Sequence, residues 1–221
     1  NTLQNLKSAD GRISIAVVPF KNLTVDTVYN IWQLGLQNLL ITSLSNSEEL
    51  SVRQYETMEK IFGGSEYISY SSITPSFAAS VAKKLEANTV IIGNIYKTGN
   101  KIRVTANLMD SRNEEIYKSY EIDGNTEDDF FPIIDSLSKC IKNYLEIKNL
   151  KQDVVFDYKN AYTTSAEAYK YFIQGKHYHG KSDYNSAIEQ YTKSISIDTN
   201  FVSPMLMLSY IYGDIGKSEK S

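Results

Sequence analysis

Thr89–Gly124, TVIIGNIYKTGNKIRVTANLMDSRNEEIYKSYEIDG, decides how the first part of this chain folds. Turn-forming residues break its β-branched and aromatic runs twice, at Thr98-Gly99-Asn100-Lys101 and at Asp110-Ser111-Arg112-Asn113, so it predicts three consecutive strands. In the central run Ile102, Val104, Ala106 and Leu108 share one parity, and Arg103, Thr105 and Asn107 the other. That alternation belongs to a strand with one face in a core and one face in water.

Upstream, Ile13–Phe20 (ISIAVVPF) is a continuous apolar run suited to an interior strand buried on both faces and ended by Pro19. From Val28 to Leu44, apolar residues at Val28, Ile31, Trp32, Gly35, Leu36, Leu39, Leu40 and Leu44 have the spacing of one helix lying on a sheet. Leu50–Gln54 reads as a short strand, Glu56–Phe62 as a short helix closed by Gly63-Gly64, and Ser65–Ile73 as a Tyr-rich loop exposing Tyr67 and Tyr70. Thr74-Pro75 supplies a cap and a first-turn proline for a helix that buries Ala78, Val81, Ala82 and Leu85.

Downstream, Thr126 and Asp129 have capping-box spacing ahead of a helical stripe of Phe130, Ile133, Ile134, Leu137, Ile141, Tyr144 and Leu145. Pro132 permits a kink or a separate turn before a helix beginning there, and the tolerance of proline in a first turn favours the second. The expectation is an α/β (α+β) domain over 13–147 with a mixed sheet and covering helices, between linkers at 1–12 and 148–164 and followed by an all-α segment over 165–221.

Composition narrows the function. With 42% apolar and 22% charged residues in 221, the chain has the make-up of a folded globular protein. A net charge of −3 with scattered Lys and Arg argues against a nucleic-acid surface. No window approaches the roughly 20 apolar residues of a membrane-spanning helix. Because the first residue is Asn1, the natural protein is expected to extend upstream, so a leader or anchor would lie outside this sequence. Cys140 is the one cysteine and falls on a helical stripe, which predicts a buried structural thiol. Seventeen tyrosines, apolar in body and polar at the tip, suit packed helix pairs and recognition surfaces alike.

VVPFKNLT at Val17–Thr24, LGLQNLLITSLS at Leu34–Ser45, AKKLEANTVIIGNI at Ala82–Ile95 and IRVTANLMDSRNEEI at Ile102–Ile116 resemble, as a set, the TolB amino-terminal-like family of bacterial α/β domains over about 13–124. The resemblance implies a fold and an envelope context, with neighbouring tetratricopeptide arrays or, in larger proteins, a membrane anchor and a winged-helix regulator, cyclase or kinase. It implies no catalytic residue set. Family members commonly carry Gly-Asp or Gly-Glu in the second hairpin; this chain has Asn113-Glu114.

The carboxyl-terminal segment repeats itself at a shift of 34, which sets Phe172 on Leu206, Gly175 on Ser209, Tyr178 on Tyr212 and Ala187 on Ser221. Tyr171, Gly175, Tyr178, Ala187 and Tyr191 resemble the small and large positions of the tetratricopeptide repeat, while Thr199 and Gln174 stand where that family has proline and leucine. Gly175 and Ala187 are expected to let two antiparallel helices approach, with Tyr178 and Tyr191 filling the space beside them. About one and a half units are present, so this segment is expected to continue, to dock on the first domain, or to pair with another copy.

Gly175–Ser182 (GKHYHGKS) satisfies the spacing of a phosphate-binding loop, which requires a strand before it and a helix opening after it. The preceding AEAYKYFIQ is helical in pattern, so a repeat turn is the expected reading. His177 and His179, two apart on a helix, cannot grip one metal ion. Glu127, Asp128 and Asp129 suit a helix start through its dipole, and Asn22-Leu23-Thr24 fits a glycosylation pattern. No catalytic, cofactor-binding or metal residue is predicted.

The functional expectation is a non-enzymatic interaction protein of the bacterial cell envelope, with the repeat helices as its surface for a protein or peptide partner. One alternative is a sensory module of a larger membrane-anchored regulator. The other is a P-loop-like nucleotide hydrolase using Lys181 and Ser182.

Overall fold

In the computed structural model the chain divides into two compact units, Asn1–Asp153 and Val154–Ser221. The structure describes residues 6–8, 10–53, 73–145 and 163–218, with 216–218 as backbone only. The expected helix at Glu56–Phe62 and connection at 148–162 lie outside the described residues, as does the loop from Ser65 except for its last residue, Ile73, which is buried.

The first unit is built on one mixed sheet. Strand β1 (Ile13–Val17) continues as β2 (Lys21–Asn22), and both run parallel to β4 (Thr89–Thr98). The short β3 (Leu50–Arg53) is parallel to β1 on its other side, while β5 (Lys101–Asp110) and β6 (Ile116–Gly124) add antiparallel strands beyond β4. The order is therefore β3-β1-β4-β5-β6, with β2 beside β4. As the apolar run predicts, β1 is interior, and all five of its residues are buried. The three-strand meander also forms as read: Ile102, Val104, Ala106 and Leu108 are buried and Arg103 is exposed.

Turn chemistry fixes the meander's register. Gly99, at φ +60°, takes the first central position of a two-residue hairpin, where only glycine is free of strain. In the second hairpin the left-handed residue is Glu114, at φ +63°. That turn is tied down from outside the hairpin: Ser111 Oγ donates to the Ala87 carbonyl at 2.7 Å, and Ser76 Oγ to Glu114 Oε2 at 2.7 Å.

Helices cover both faces. Helix α1 (Trp32–Ser45) buries Trp32, Leu36, Leu40 and Leu44, each contributing about 2 kcal/mol of burial. The single helix read over Val28–Leu44 is divided, because Thr27–Ile31 forms a 3-10 turn capped by Asp26 Oδ1, and Val28 stays exposed. Helix α2 (Pro75–Lys84) starts where Thr74 Oγ1 accepts from the Phe77 amide; Ala78, Val81 and Ala82 pack on one face of the sheet with Ala16, Val18, Val90, Ile92 and Met109. Helix α3 (Phe130–Leu145) packs against α1, where Ser43 Oγ donates to Ser138 Oγ at 2.6 Å and the Trp32 and Phe130 rings lie 4.5 Å apart.

Pro132 sits in the first turn of α3, which begins at Phe130 rather than at the proline. A separate 3-10 turn, Glu127–Asp129, precedes it, and Asp129 Oδ2 accepts from the Asn125 and Thr126 amides at 2.7 and 2.8 Å. Cys140 is half-buried instead of buried, and its carbonyl accepts from the Tyr120 hydroxyl at 3.0 Å.

The second unit contains helices α4 (Ala166–Gly180), α5 (Tyr184–Ile197) and α6 (Val202–Ser218). Ser165 caps α4 by accepting from the Ala168 amide, and Asp183 caps α5 by accepting from the Ser186 amide. Phe172, Tyr191 and Phe201 form the aromatic centre, with Tyr169 stacked at 6.4 Å on Phe201. Between α5 and α6 the turn is closed by Asp198, whose Oδ1 accepts from the Asn200 amide and whose carbonyl accepts from the Phe201 amide. That closure explains how Thr199 can replace a proline.

Candidate functional site

In a sheet that winds both ways from a central strand, ligands bind in the crevice at the carboxyl ends of the strands where the winding reverses. Here the chain leaves β1 for β3 on one side and returns to β4 on the other, so the reversal lies between β1 and β4. That crevice is filled by the protein itself. Phe20 is fully buried with its ring against Gly93 of β4, so close that a Cβ added at Gly93 would lie 2.1 Å from Phe20 Cε1. The Phe20 amide donates to the Gln33 carbonyl at 3.0 Å, and Gln37 Nε2 donates to the Val17 carbonyl at 2.7 Å, so α1 holds the plug at both ends. The sequence signal was an isolated glycine inside a β-branched run, which marks a close approach to strand backbone.

Beyond the plug, Asn22 organises the loop to α1. Its Oδ1 accepts from the Thr24 amide and hydroxyl at 2.9 and 2.6 Å, and its Nδ2 donates to the Asp26 carbonyl and to Asn30 Oδ1. The amide that the glycosylation pattern singled out is committed to this turn. Among the residues read as a helix-start acid cluster, Glu127 does more than meet a dipole: its Oε2 accepts from Trp32 Nε1 at 2.7 Å and links the starts of α1 and α3.

The phosphate-loop spacing at Gly175–Ser182 has the wrong geometry for nucleotide binding. Gly175 lies within α4, Lys181 caps its carboxyl end, and Ser182 takes the left-handed conformation at φ +60°. The Ser182 amide donates to the His179 carbonyl at 2.9 Å and the Asp183 amide to the Tyr178 carbonyl at 3.0 Å. This is the paired closure of a helix end, so the amides a phosphate would need are bound to α4, and no strand leads in. The stretch forms a turn between two helices, the expected reading, and the alternative that uses Lys181 and Ser182 finds no phosphate cradle there.

His177 and His179 lie in the last turn of α4, beside Tyr178 and Tyr184 respectively, with ring separations of 5.8 and 5.9 Å. Among the described residues no group of three or more His, Cys, Asp or Glu is placed to hold a metal ion.

The residues read as repeat positions divide in two. Gly175, Ala187 and Tyr191 meet at the α4–α5 contact: a Cβ at Gly175 would lie 2.5 Å from the Tyr191 ring, and Ala187 and Tyr191 are fully buried. The Tyr191 hydroxyl is buried there with no hydrogen-bond partner. Tyr171 and Tyr178 are only half-buried, so Tyr178 does not fill the core as expected. On α6, Ile211 is fully buried and Pro204 is buried with it on the inner side, whereas Val202, Met205, Leu206, Tyr210 and Tyr212 are 38–63% exposed. From Val202 to Gly213 the helix carries no charged residue. This outward side of α6 is a contiguous apolar surface on a regular element, and it is the candidate site.

No family model matches the chain. A curated protein of Rhizobium meliloti (strain 1021), "Putative adenylate cyclase 3", is 27% identical over 135 residues, 61% of this chain and 21% of that protein. The chain thus spans about a fifth of the length of the curated relative it matches. Similar solved structures include the LpoB C-terminal domain from Escherichia coli, 19% identical with a TM-score of 0.43 over 57% of this chain and 93% of that one. Lipoprotein GNA1162 from Neisseria meningitidis is 20% identical with a TM-score of 0.41 over 63% and 99% of the two chains. TolB from Acinetobacter baumannii is 19% identical with a TM-score of 0.40 over 63% of this chain and 29% of that one.

Proposed function

We propose that this chain is a non-enzymatic interaction protein of the bacterial cell envelope, in which an α/β domain over 13–147 accompanies tetratricopeptide helices over 165–221 that present a partner-binding surface. One observation carries the reading: the outward side of α6, uncharged from Val202 to Gly213 and exposing Leu206, Tyr210 and Tyr212. Exposed apolar residues that lie singly need no explanation, but a contiguous set on one helix marks a surface to be covered. Aromatic anchors there supply most of the affinity. The 34-residue register supports the repeat assignment, since Gly175, which admits Tyr191, falls on Ser209 of α6. Phe20 seated in the sheet's crevice supports a non-catalytic role for the first unit, and no cofactor is invoked. The envelope setting rests on the resemblance of the first unit to the TolB amino-terminal-like family; among the described residues no helix is long and apolar enough to cross a membrane.

The test is affinity capture from envelope extracts with wild type and Leu206→Glu. Partners retained by wild type and lost by the variant are expected; identical retention by both proteins would remove α6 from the function. Nucleotide titration of wild type and Lys181→Ala is expected to give no binding by either.

A second reading, favoured by the match to a fraction of a longer cyclase, makes the first unit a sensory module of a membrane-anchored regulator. The complete reading frame decides it, through the presence or absence of an effector domain joined to this chain.

A further inference from the structure

We infer that the partner covering the outward side of α6 is a second copy of this chain, docked antiparallel across a two-fold axis. The inference rests on the reading of that side as a binding surface. Its centre line runs through Val202, Leu206, Ser209 and Gly213, spaced four, three and four residues apart and therefore on one face of the helix. The two bulky residues lie toward the amino end and the two small ones toward the carboxyl end. An antiparallel copy turned about an axis between Met207 and Leu208 sets Val202 opposite the other copy's Gly213 and Leu206 opposite the other copy's Ser209. Both pairings come from the same axis, and each places a large side chain over a small one. On one flank Met205 meets the other copy's Tyr212, a thioether against a ring.

The contact the protein already makes between α4 and α5 shows the same chemistry at the equivalent place. Gly175, the repeat counterpart of Ser209, receives the Tyr191 ring, and Phe172, the counterpart of Leu206, lies 6.0 Å from that ring. A two-fold contact brings each residue's charge against its own copy or near it, so a charged stripe would repel itself; the absence of charge from Val202 to Gly213 removes that penalty. One helix pair is a small interface, so the association is concentration-dependent rather than permanent.

The test is sedimentation-equilibrium mass measurement of the 221-residue chain across a micromolar to submillimolar range, with disulfide trapping of Ser209→Cys in a Cys140→Ser background. Wild type is expected to rise toward twice the monomer mass. Leu206→Glu should stay monomeric with unchanged helical circular dichroism, and Ser209→Cys should cross-link at least tenfold faster than Lys193→Cys, an exposed control on α5. A chain that stays monomeric throughout and shows no preferential cross-link overturns the inference, as does a dimer indifferent to Leu206→Glu. If the monomeric chain nonetheless loses an envelope partner through Leu206→Glu, the second copy is rejected and the binding surface stands. If Leu206→Glu changes neither self-association nor capture, both fail.

Discussion

Each unit presses an aromatic ring onto a glycine, and the two contacts do opposite things. In the sheet unit Phe20 lies over Gly93 in the crevice between β1 and β4, so the contact closes a place where such sheets hold ligands. In the helical unit Tyr191 lies over Gly175, and the contact draws α4 and α5 together without using the outward side of α6. Apart from Ile197 at the end of α5, the exposed large apolar residues follow the same division. Leu23, Val25, Val28 and Ile116 of the sheet unit stand in a loop, a short turn and a strand end, whereas Val202, Met205, Leu206, Tyr210 and Tyr212 share one helix. Among the described residues the sheet unit exposes no helix face of this kind, and the helical unit has one to offer.

The largest expected effect tests the plug. Gly93→Val puts a branched side chain against the Phe20 ring, inside a central strand, where β4 is paired on both sides and the Phe20 backbone is held by the Gln33 carbonyl. A loss of at least about 3 kcal/mol is expected, near the upper end for overpacking. Trp32 is the one tryptophan and lies in this unit, so its fluorescence transition in urea reports the change. A transition that does not move would mean the ring is free to leave, and the crevice would be a gated site instead of a filled one.

Gly175→Val comes next, with an expected loss of about 2 kcal/mol. The Tyr191 ring again stands in the way, but two helices can separate by sliding where a strand in mid-sheet cannot. The readout is the loss of far-ultraviolet circular dichroism of the helices in urea. Equal losses for the two glycine substitutions would erase the contrast between a rigid plug and a yielding helix contact.

Tyr191→Phe should act in the other direction. The hydroxyl is buried without a partner, and burial pushes its pKa upward. Deleting an unsatisfied polar group while keeping the ring is expected to stabilise by about 1 kcal/mol, read as a higher melting temperature. A lower melting temperature would show that the hydroxyl is satisfied in solution.

Much of this contrast can be read in residues, and the unread part has a common cause. Local chemistry announced the meander through Gly99 and the alternation of Ile102 to Leu108, the α2 start through Thr74-Pro75, and the α3 start through Asp129. What local chemistry could not announce was contact across the chain. Phe20 on Gly93 joins residues 73 apart, and Trp32 to Glu127 spans 95, so neither leaves a periodic trace. Gly175–Ser182 shows the converse: its spacing matches a phosphate loop, yet the helix before it decides what the amides do. The outward side of α6 was half legible, since Leu206 and Tyr212 stood out as repeat positions, while their exposure depends on which side of α6 meets α5.

The smallest expected effect concerns charge at the start of α3. Asp129 accepts from the Asn125 and Thr126 amides, and these hydrogen bonds hold its pKa below the ordinary carboxylate value. A depressed folded-state pKa means that the cap's stabilisation is fully present above the unfolded value, about 4. It is then lost as pH falls through the lower folded value, because the unfolded chain takes up the proton first. Wild type should therefore melt slightly above Asp129→Asn at neutral pH, and the gap should close in acid, as pH falls through the lowered folded-state value. The helical unit gives the matched control: Ser165 caps α4 with a hydroxyl, so the loss from Ser165→Ala should be independent of pH over the same range. A gap for Asp129→Asn that is flat with pH would show that the carboxylate acts by shape alone, and that the start of α3 is held by the same means as the start of α4.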